Sequence, residues 1–380
     1  MQQSPEIELL LLCARPHPGE GDVGRMLALI QQDLNWPLLL QLAGEYRVTP
    51  LLALHMRRHA ADLLADEVQS TLHEHHVQST RHNLVLAAEV LRIVDLFSAA
   101  GIDVIPFKGP VSATLAYGDL ALRACGDIDL LVRQHDHRRA EQALENSGYR
   151  ITQQYDTAMQ SGLWHEQRQT SVDLHWGIPP EHLHLHSKRL WEALAPVNLL
   201  GRPVPTFSTQ DTVLVMAINV VKEYWKPSLH QLSDVVALTC DYSDDDWRAT
   251  FRRAREIGCL RMLVATLLLA RRLLNTPLPP AGPARLFRDK GIDKAVEELE
   301  CHLFPPQEPE TLEDAMKPVR LHHAHAYYLA LTDSARQRIL DWLEWAGTPS
   351  QADEGFVQLP KRLSFLYFLI RPVRLLIKRL

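Results

Sequence analysis

The residues able to do chemistry in this sequence are concentrated between Phe107 and Trp176. Asp127 and Asp129 stand two positions apart in Asp-Ile-Asp-Leu-Leu-Val, and a third acid, Asp173, stands in Ser-Val-Asp-Leu-His-Trp. Both runs read as short strands, whose successive side chains alternate between faces. Asp127 and Asp129 therefore share one face, while Ile128 and Leu130 turn to the core. Two carboxylates side by side raise each other's pKa unless a cation sits between them. A divalent cation resolves that conflict, and Mg2+ takes oxygen ligands, commonly one or two carboxylates together with substrate phosphates. Three acids on adjacent strands can hold two such ions, which clamp both oxygens of an in-line phosphoryl displacement.

An isolated Asp-X-Asp more often marks a solvated strand end, so its companions decide the reading. Gly109 lets the backbone approach a phosphate closely, and the helix that follows offers free N–H donors. Lys108 precedes the glycine and Arg123 precedes Asp127 by four positions, which supplies two cations for a triphosphate. His175 lies two residues beyond Asp173 on the same predicted strand face, in reach of an acceptor or of the metal. Asp234, in a helical run beside Val235 and Val236, either pairs structurally or reaches the nucleotide.

The elements that must position these residues follow from periodicity. Residues 5–100 read as helices, the last over roughly 65–100 with Gly101 as its stop. Asp103–Lys108 reads as a strand, Val111–Tyr117 as one or two helical turns behind Pro110, and Asp127–Val132 as a second strand. A polar-faced helix over Gln134–Asn146, a strand over Tyr149–Tyr155 and a hairpin over Leu163–Arg168 and Ser171–Trp176 complete the one α/β stretch. Helices return over Val213–Lys222, Leu229–Thr239, Asp246–Ile257, Leu260–Leu274 and about Thr332–Ala346, with proline-rich loops at Asn275–Arg285 and Phe304–Glu310. The expected class is α+β: a small mixed sheet embedded between N-terminal and C-terminal helical regions. The expected division is 1–100 helical, 101–207 α/β core, 208–346 helical, and 347–380 linker and tail.

Composition bounds the function. Of 380 residues, 46% are hydrophobic and 23% charged, as in an ordinary globular protein, and the net charge of −6 provides no basic field for long nucleic acid. The five cysteines are scattered without a CxxC and read as reduced; the N-terminus lacks the basic start of a signal peptide. Both features predict a cytoplasmic protein. Nineteen histidines include the groups His73, His75 and His76, His182, His184 and His186, and His322, His323 and His325. None has a Cys partner or an HExxH helix, so they read as solvated rather than zinc-binding. Residues 361–380 alternate apolar runs with six cations and no acid, a pattern that fits either packing on the acidic body or peripheral contact with a membrane or a protein.

Lys108-Gly109, a short helix ending in Tyr117, Arg123, Gly126-Asp-Ile-Asp-Leu-Leu-Val132 and Val172-Asp-Leu-His-Trp176 together resemble the uncharacterised nucleotidyltransferase-like family of the polymerase-β-type nucleotidyltransferase superfamily. The flanking segments Trp36–Leu52 and Leu229–Leu238 extend the resemblance over most of the chain. It implies Mg2+- or Mn2+-dependent transfer of a nucleoside monophosphate from an NTP, taken as ATP, to an acceptor that is a small molecule, a peptide or a protein. Under it Asp127 and Asp129 hold both metals, and Asp173 completes the acceptor-side metal and receives the nucleophile's proton. Lys108, Gly109, Ser112 and Arg123 bind the nucleotide. This chain departs from the superfamily in having Gly109-Pro110 in place of Gly-Ser, with Ser112 the nearest substitute hydroxyl. Asp127 follows Gly109 by 18 positions, a long interval for a minimal enzyme of this kind. The departures leave a second expectation, a catalytically degenerate nucleotide-binding or scaffold protein, associated with a membrane through its basic tail.

Overall fold

Leucines at helical spacing fold the first hundred residues into α1 (Pro5–Cys13), α2 (Glu20–Ile30), α3 (Trp36–Glu45), α4 (Thr49–His59) and α5 (Asp66–Ala99). These and the elements below come from a computed structural model that describes residues 4–155, 159–178, 183, 188–222, 229–304 and 327–339. Along α5, Leu86, Val90, Ile93 and Phe97 form one buried stripe. Gly101, at φ +65°, closes the helix, and the Ile102 N–H returns to the Phe97 carbonyl. Glycine adopts that left-handed closure without the clash a Cβ would bring.

The sheet contains β1 (Val104–Pro106), β2 (Ile128–Val132), β3 (Arg150–Tyr155), β4 (Gln160–His165) and β5 (Thr170–His175), in the order β1-β2-β5-β4-β3. β2 and β5 run parallel and the other neighbours antiparallel. Pro106 lacks an N–H for a ladder, and β1 accordingly lies on the sheet's edge, where the Thr206 hydroxyl donates to the Pro106 carbonyl at 2.7 Å. α6 (Gly109–Tyr117) leaves β1 with Pro110 in its first turn, where a missing N–H costs nothing. α7 (His137–Asn146) connects β2 to β3.

Strand alternation divides the sheet between two cores. Ile128, Leu130, Val132, Val172 and Leu174 join α5 and α7 in one apolar cluster, whereas Leu131 joins the other. Asp129, Asp173 and His175 follow the parity of Leu131, on the face opposite α5 and α7. The second cluster unites α1 to α4 with α9 (Thr209–Lys222), α10 (Leu229–Thr239), α11 (Asp244–Ile257), α12 (Leu260–Leu274) and α13 (Lys290–Leu303). The protein is thus a mixed sheet set between helical segments, the class its pattern predicts. Among the described residues no helix is long and apolar enough to cross a membrane.

Some elements differ from expectation. α8 (Lys188–Glu192) and the hairpin β6 (Ala195–Leu199) and β7 (Arg202–Thr206) have no counterpart in the sequence reading. The hairpin turns on Leu200 and Gly201, both at positive φ, and its strands carry Pro196, Pro203 and Pro205. A Leu-Gly turn between proline-bearing strands lacks the Asn-Gly signature and reads as loop. α13 likewise has no counterpart there; the Asp289 carboxylate caps it by accepting from the Gly291 and Ile292 N–H groups. Of the helix expected over 332–346, residues 335–339 are helical, and 340–346 lie outside the described residues. Residues 327–331 are helical and 332–334 are not, and the Asp333 side chain instead accepts the Leu260 and Arg261 N–H groups at the start of α12. The linker 347–354, the tail 361–380 and the His182 and His322 groups lie outside the described residues.

One buried ion pair fastens α10 to the sheet region. The Arg123 guanidinium donates to Asp234 at 2.8 Å, with the two side chains 6% and 0% exposed, and the Tyr117 hydroxyl donates to the other carboxylate oxygen at 2.9 Å. Removing one member strands the other's charge in a dry interior. Asp234→Ala is expected to lower unfolding stability by about 3–5 kcal/mol in urea denaturation, and Arg123→Met/Asp234→Leu by clearly less. Equal losses in the two proteins would refute this account.

Candidate active site

The parallel register pairs Asp129 with Asp173 and Leu131 with His175. Because side chains on one face recur every second residue, this register brings together Asp129, Asp173 and His175, one ligand atom from each lying within 4.8 Å of the others. Lys108, immediately before α6, reaches across β1 and places Nζ 3.0 Å from Asp129 Oδ1. The His175 Nε2–H donates to the same oxygen at 3.3 Å, and the Phe107 ring packs edge-on against the imidazole. Gln160, at the start of β4, donates to Asp173 Oδ2 at 2.7 Å.

The electrostatics are those of too much negative charge in too little water. Burial opposes ionisation of Asp129, yet the Lys108 ammonium and the His175 hydrogen bond outweigh it and hold this carboxyl well below the usual range. Asp173 has no such cation bonded to it. Burial first, then the Asp129 and Asp127 charges, push it up to about 7. Asp127 is raised by the Asp129 charge and by burial, against the pull of Lys108, Arg47 and Arg123. Burial lowers the His175 pKa despite its bond to Asp129, and its Nδ1 is buried without a hydrogen-bond partner. A largely buried pair of adjacent carboxylates, one held ionised and the other raised by its neighbour's charge, is a donor set that fits a hard divalent cation.

The other residues expected at the site are placed as follows by the fold. Asp127 stands just before β2 and outside the close group of Asp129, Asp173 and His175. Gly109 has φ +53°, and a Cβ there would stand 2.8 Å from the Asp127 carbonyl oxygen. The close approach anticipated for a phosphate is made by the protein's own backbone, at the root of the Asp-Ile-Asp strand. Ser112 is fully buried, and its hydroxyl donates to the Phe107 carbonyl at 3.1 Å. Arg123, expected at the triphosphate, is buried and its guanidinium is bonded to Asp234. Asp234 correspondingly pairs structurally. Arg47 does not stand out in the sequence: its Nη2 donates to the Ala124 carbonyl at 3.2 Å and lies against Gly126. Periodicity marks no helix end near residue 47, so nothing in the sequence reading singles it out.

Acid pairs on a mixed sheet, behind a glycine-started helix, point to the nucleotidyltransferases as a class. The sequence profile of a family described as uncharacterised nucleotidyltransferase matches residues 32–275, well over half of the chain, and the protein belongs to that family. Two solved structures are similar. The lincomycin-bound lincosamide antibiotic adenylyltransferase LnuA is 21% identical, over 33% of this chain and 83% of that one, with a TM-score of 0.28. An antigenic nucleotidyltransferase-like protein from Paracoccidioides brasiliensis is 17% identical, over 55% of this chain and 96% of that one, with a TM-score of 0.34. No curated protein matches the chain.

Gly109→Ala is expected to destabilise the fold by about 1–3 kcal/mol, since it adds both a left-handed alanine and a clash with backbone; a melting temperature equal to the parent's would contradict this. The Asp173 carboxyl has a folded pKa of about 7, above its ordinary value. The folded protein therefore binds the extra proton, and without metal this group's contribution to stability falls as pH rises from about 4 to about 7. Asp129 acts below that window and His175 in the opposite sense, so the comparison is with Asp173→Asn. From pH 5 to pH 8 the parent is expected to lose stability relative to Asp173→Asn, at a slope approaching about 1.4 kcal/mol per pH unit inside the window. Parallel urea midpoints for the two proteins at both pH values would contradict it.

Proposed function

We propose that this protein is a divalent-metal-dependent nucleotidyltransferase that moves a nucleoside monophosphate from an NTP, taken as ATP, to the nucleophile of a small molecule, a peptide or a protein. The single observation that carries the reading is Asp129 set beside Asp173 across parallel strands, with Lys108 bonded to Asp129. Asp129 and Asp173 would hold Mg2+ or Mn2+, with Asp127 as a further oxygen donor and His175 at the acceptor side. The cation, when bound, supplies positive charge to the phosphoryl oxygens.

In the reaction the acceptor forms a bond to the α-phosphorus, and the bond from that phosphorus to pyrophosphate breaks. Asp173 receives the acceptor's proton, a role open to a positioned carboxylate. Lys108 neutralises Asp129; a divalent cation held by Asp129 and Asp173 would supply that charge, and the Lys108 ammonium would then be available to the leaving pyrophosphate. Alignment and fixed charge supply most of the acceleration in such transfers. The free cysteines, three of them buried, fit a reducing compartment, and we place the protein in the cytoplasm.

Pro110 and the inward-turned Ser112 hydroxyl favour a second reading, a nucleotide-binding protein without turnover. Incubation with each α-labelled NTP, MgCl2 and acceptor pools, read as nucleotide binding, pyrophosphate release and label transfer, separates the two. Mg2+-dependent release is expected, reduced by about 100-fold or more in Asp129→Asn and in Asp173→Asn. Binding without release would establish the silent protein, and release undiminished in the double variant would reject the assigned site.

A further inference from the structure

If the site takes an NTP, something must answer the charge of its polyphosphate. The two cations nearest to hand in the sequence are engaged with acids: Lys108 bonds to Asp129 and Arg123 to Asp234. A third cation comes from a distant part of the chain. Arg47 follows α3, and its guanidinium lies against the 124–126 backbone, with Nη2 3.2 Å from the Ala124 carbonyl and 3.0 Å from where a Gly126 Cβ would stand. It is half-buried, and among the described residues no carboxylate pairs with it. Its positive charge is felt at Asp127.

The backbone at Arg47 supplies an independent observation. The residue has φ +58°, and the Val48 N–H returns to the Ala43 carbonyl in a left-handed helix closure. Glycine occupies that position at no steric cost and asparagine tolerates it, whereas an arginine strains it. The local fold would be served better by glycine, and an arginine is present instead. Strain kept at a residue that projects a charged group beside an acidic site is the pattern expected where the side chain is needed for something besides folding.

Resting on the nucleotidyltransferase reading above, we propose that Arg47 is the guanidinium that binds the polyphosphate of the NTP. Its planar donor fork suits phosphate oxygens, and the Ala124 carbonyl holds it in place before substrate arrives. The N-terminal helical segment therefore contributes directly to the nucleotide site through Arg47, two residues past the end of α3.

The inference makes an unusual demand of one substitution. Arg47→Gly relieves the left-handed strain and removes the guanidinium together. It is expected to keep or raise the melting temperature while weakening binding of NTP with MgCl2, by titration calorimetry, by about tenfold or more. Arg47→Asn, which tolerates the same backbone without the charge, is expected to weaken binding equally. Asp129→Asn serves as the control on the site itself. Unchanged affinity in both Arg47 variants, with Asp129→Asn impaired, overturns the proposal and leaves the site reading intact. A fall in affinity matched by a fall in melting temperature in both variants also overturns it, by showing that the arginine only braces residues 124–126. Failure of the parent protein to bind any of the four NTPs with MgCl2 rejects the site reading and this proposal with it.

Discussion

Two like charges are held side by side in this protein by backbone hydrogen bonds. β2 and β5 pair in parallel, and the register places Asp129 beside Asp173 on the face of the sheet away from α5 and α7. A sheet neighbour cannot move off by more than a side-chain rotation without breaking the ladder, so the repulsion is built in. It is also not diluted by solvent, since Asp129 is only 5% exposed. The molecule keeps one carboxylate charged by giving it Lys108 and His175, and leaves the other to gain a proton near neutrality. Such a pair is costly in a merely structural sheet and well suited to the capture of a cation.

Neighbouring features hold this pair in place. β1 lies beside β2, carries Lys108 to Asp129, and continues the ladder through the Phe107 N–H to the Asp129 carbonyl at 3.2 Å. Gly109 then turns through a left-handed conformation with its α-carbon against the Asp127 carbonyl, so the start of α6 and the root of β2 are fitted to each other. On the far side, Gln160 bonds to Asp173 from β4. The helices outside the sheet take part as well. α10 is fastened to the segment before Asp127 by the Arg123–Asp234 pair, and Arg47 rests on the same segment. Arg47 and α10 thus both bear on the 123–126 segment that leads into Asp127, which makes the flanking helices part of the site's framework.

Much of this was legible in the order of residues. Helical periodicity marked residues 5–100 as helical with α5 as the last helix and located α9 to α12, the Asp-Ile-Asp and Val-Asp-Leu-His runs located β2 and β5, and their alternation put the acids and His175 on the face away from Ile128 and Leu174. Each of those inferences depends on a period of two or of 3.6 within one element, which is a property of neighbouring residues. The β6–β7 hairpin escaped because its turn is Leu200-Gly201 and its strands carry prolines, so the local signal resembled a loop. The helix expected from 332 starts only at 335, because Asp333 accepts the N–H groups of a helix some seventy residues away.

The charged residues Lys108, Arg123 and Arg47 mark the limit more sharply. Residue type alone made Lys108 and Arg123 equivalent candidates for a phosphate, and passed over Arg47. Their different placements depend on what lies opposite each one: Asp129 across a strand, Asp234 on α10, and the Ala124 carbonyl facing the end of α3. Electrostatic partnership falls off over a few ångströms of space and is indifferent to separation along the chain. Residue identity and local periodicity thus named the chemistry and the strand faces that carry it, while the choice of which cation answers which acid waited for the chain to close on itself.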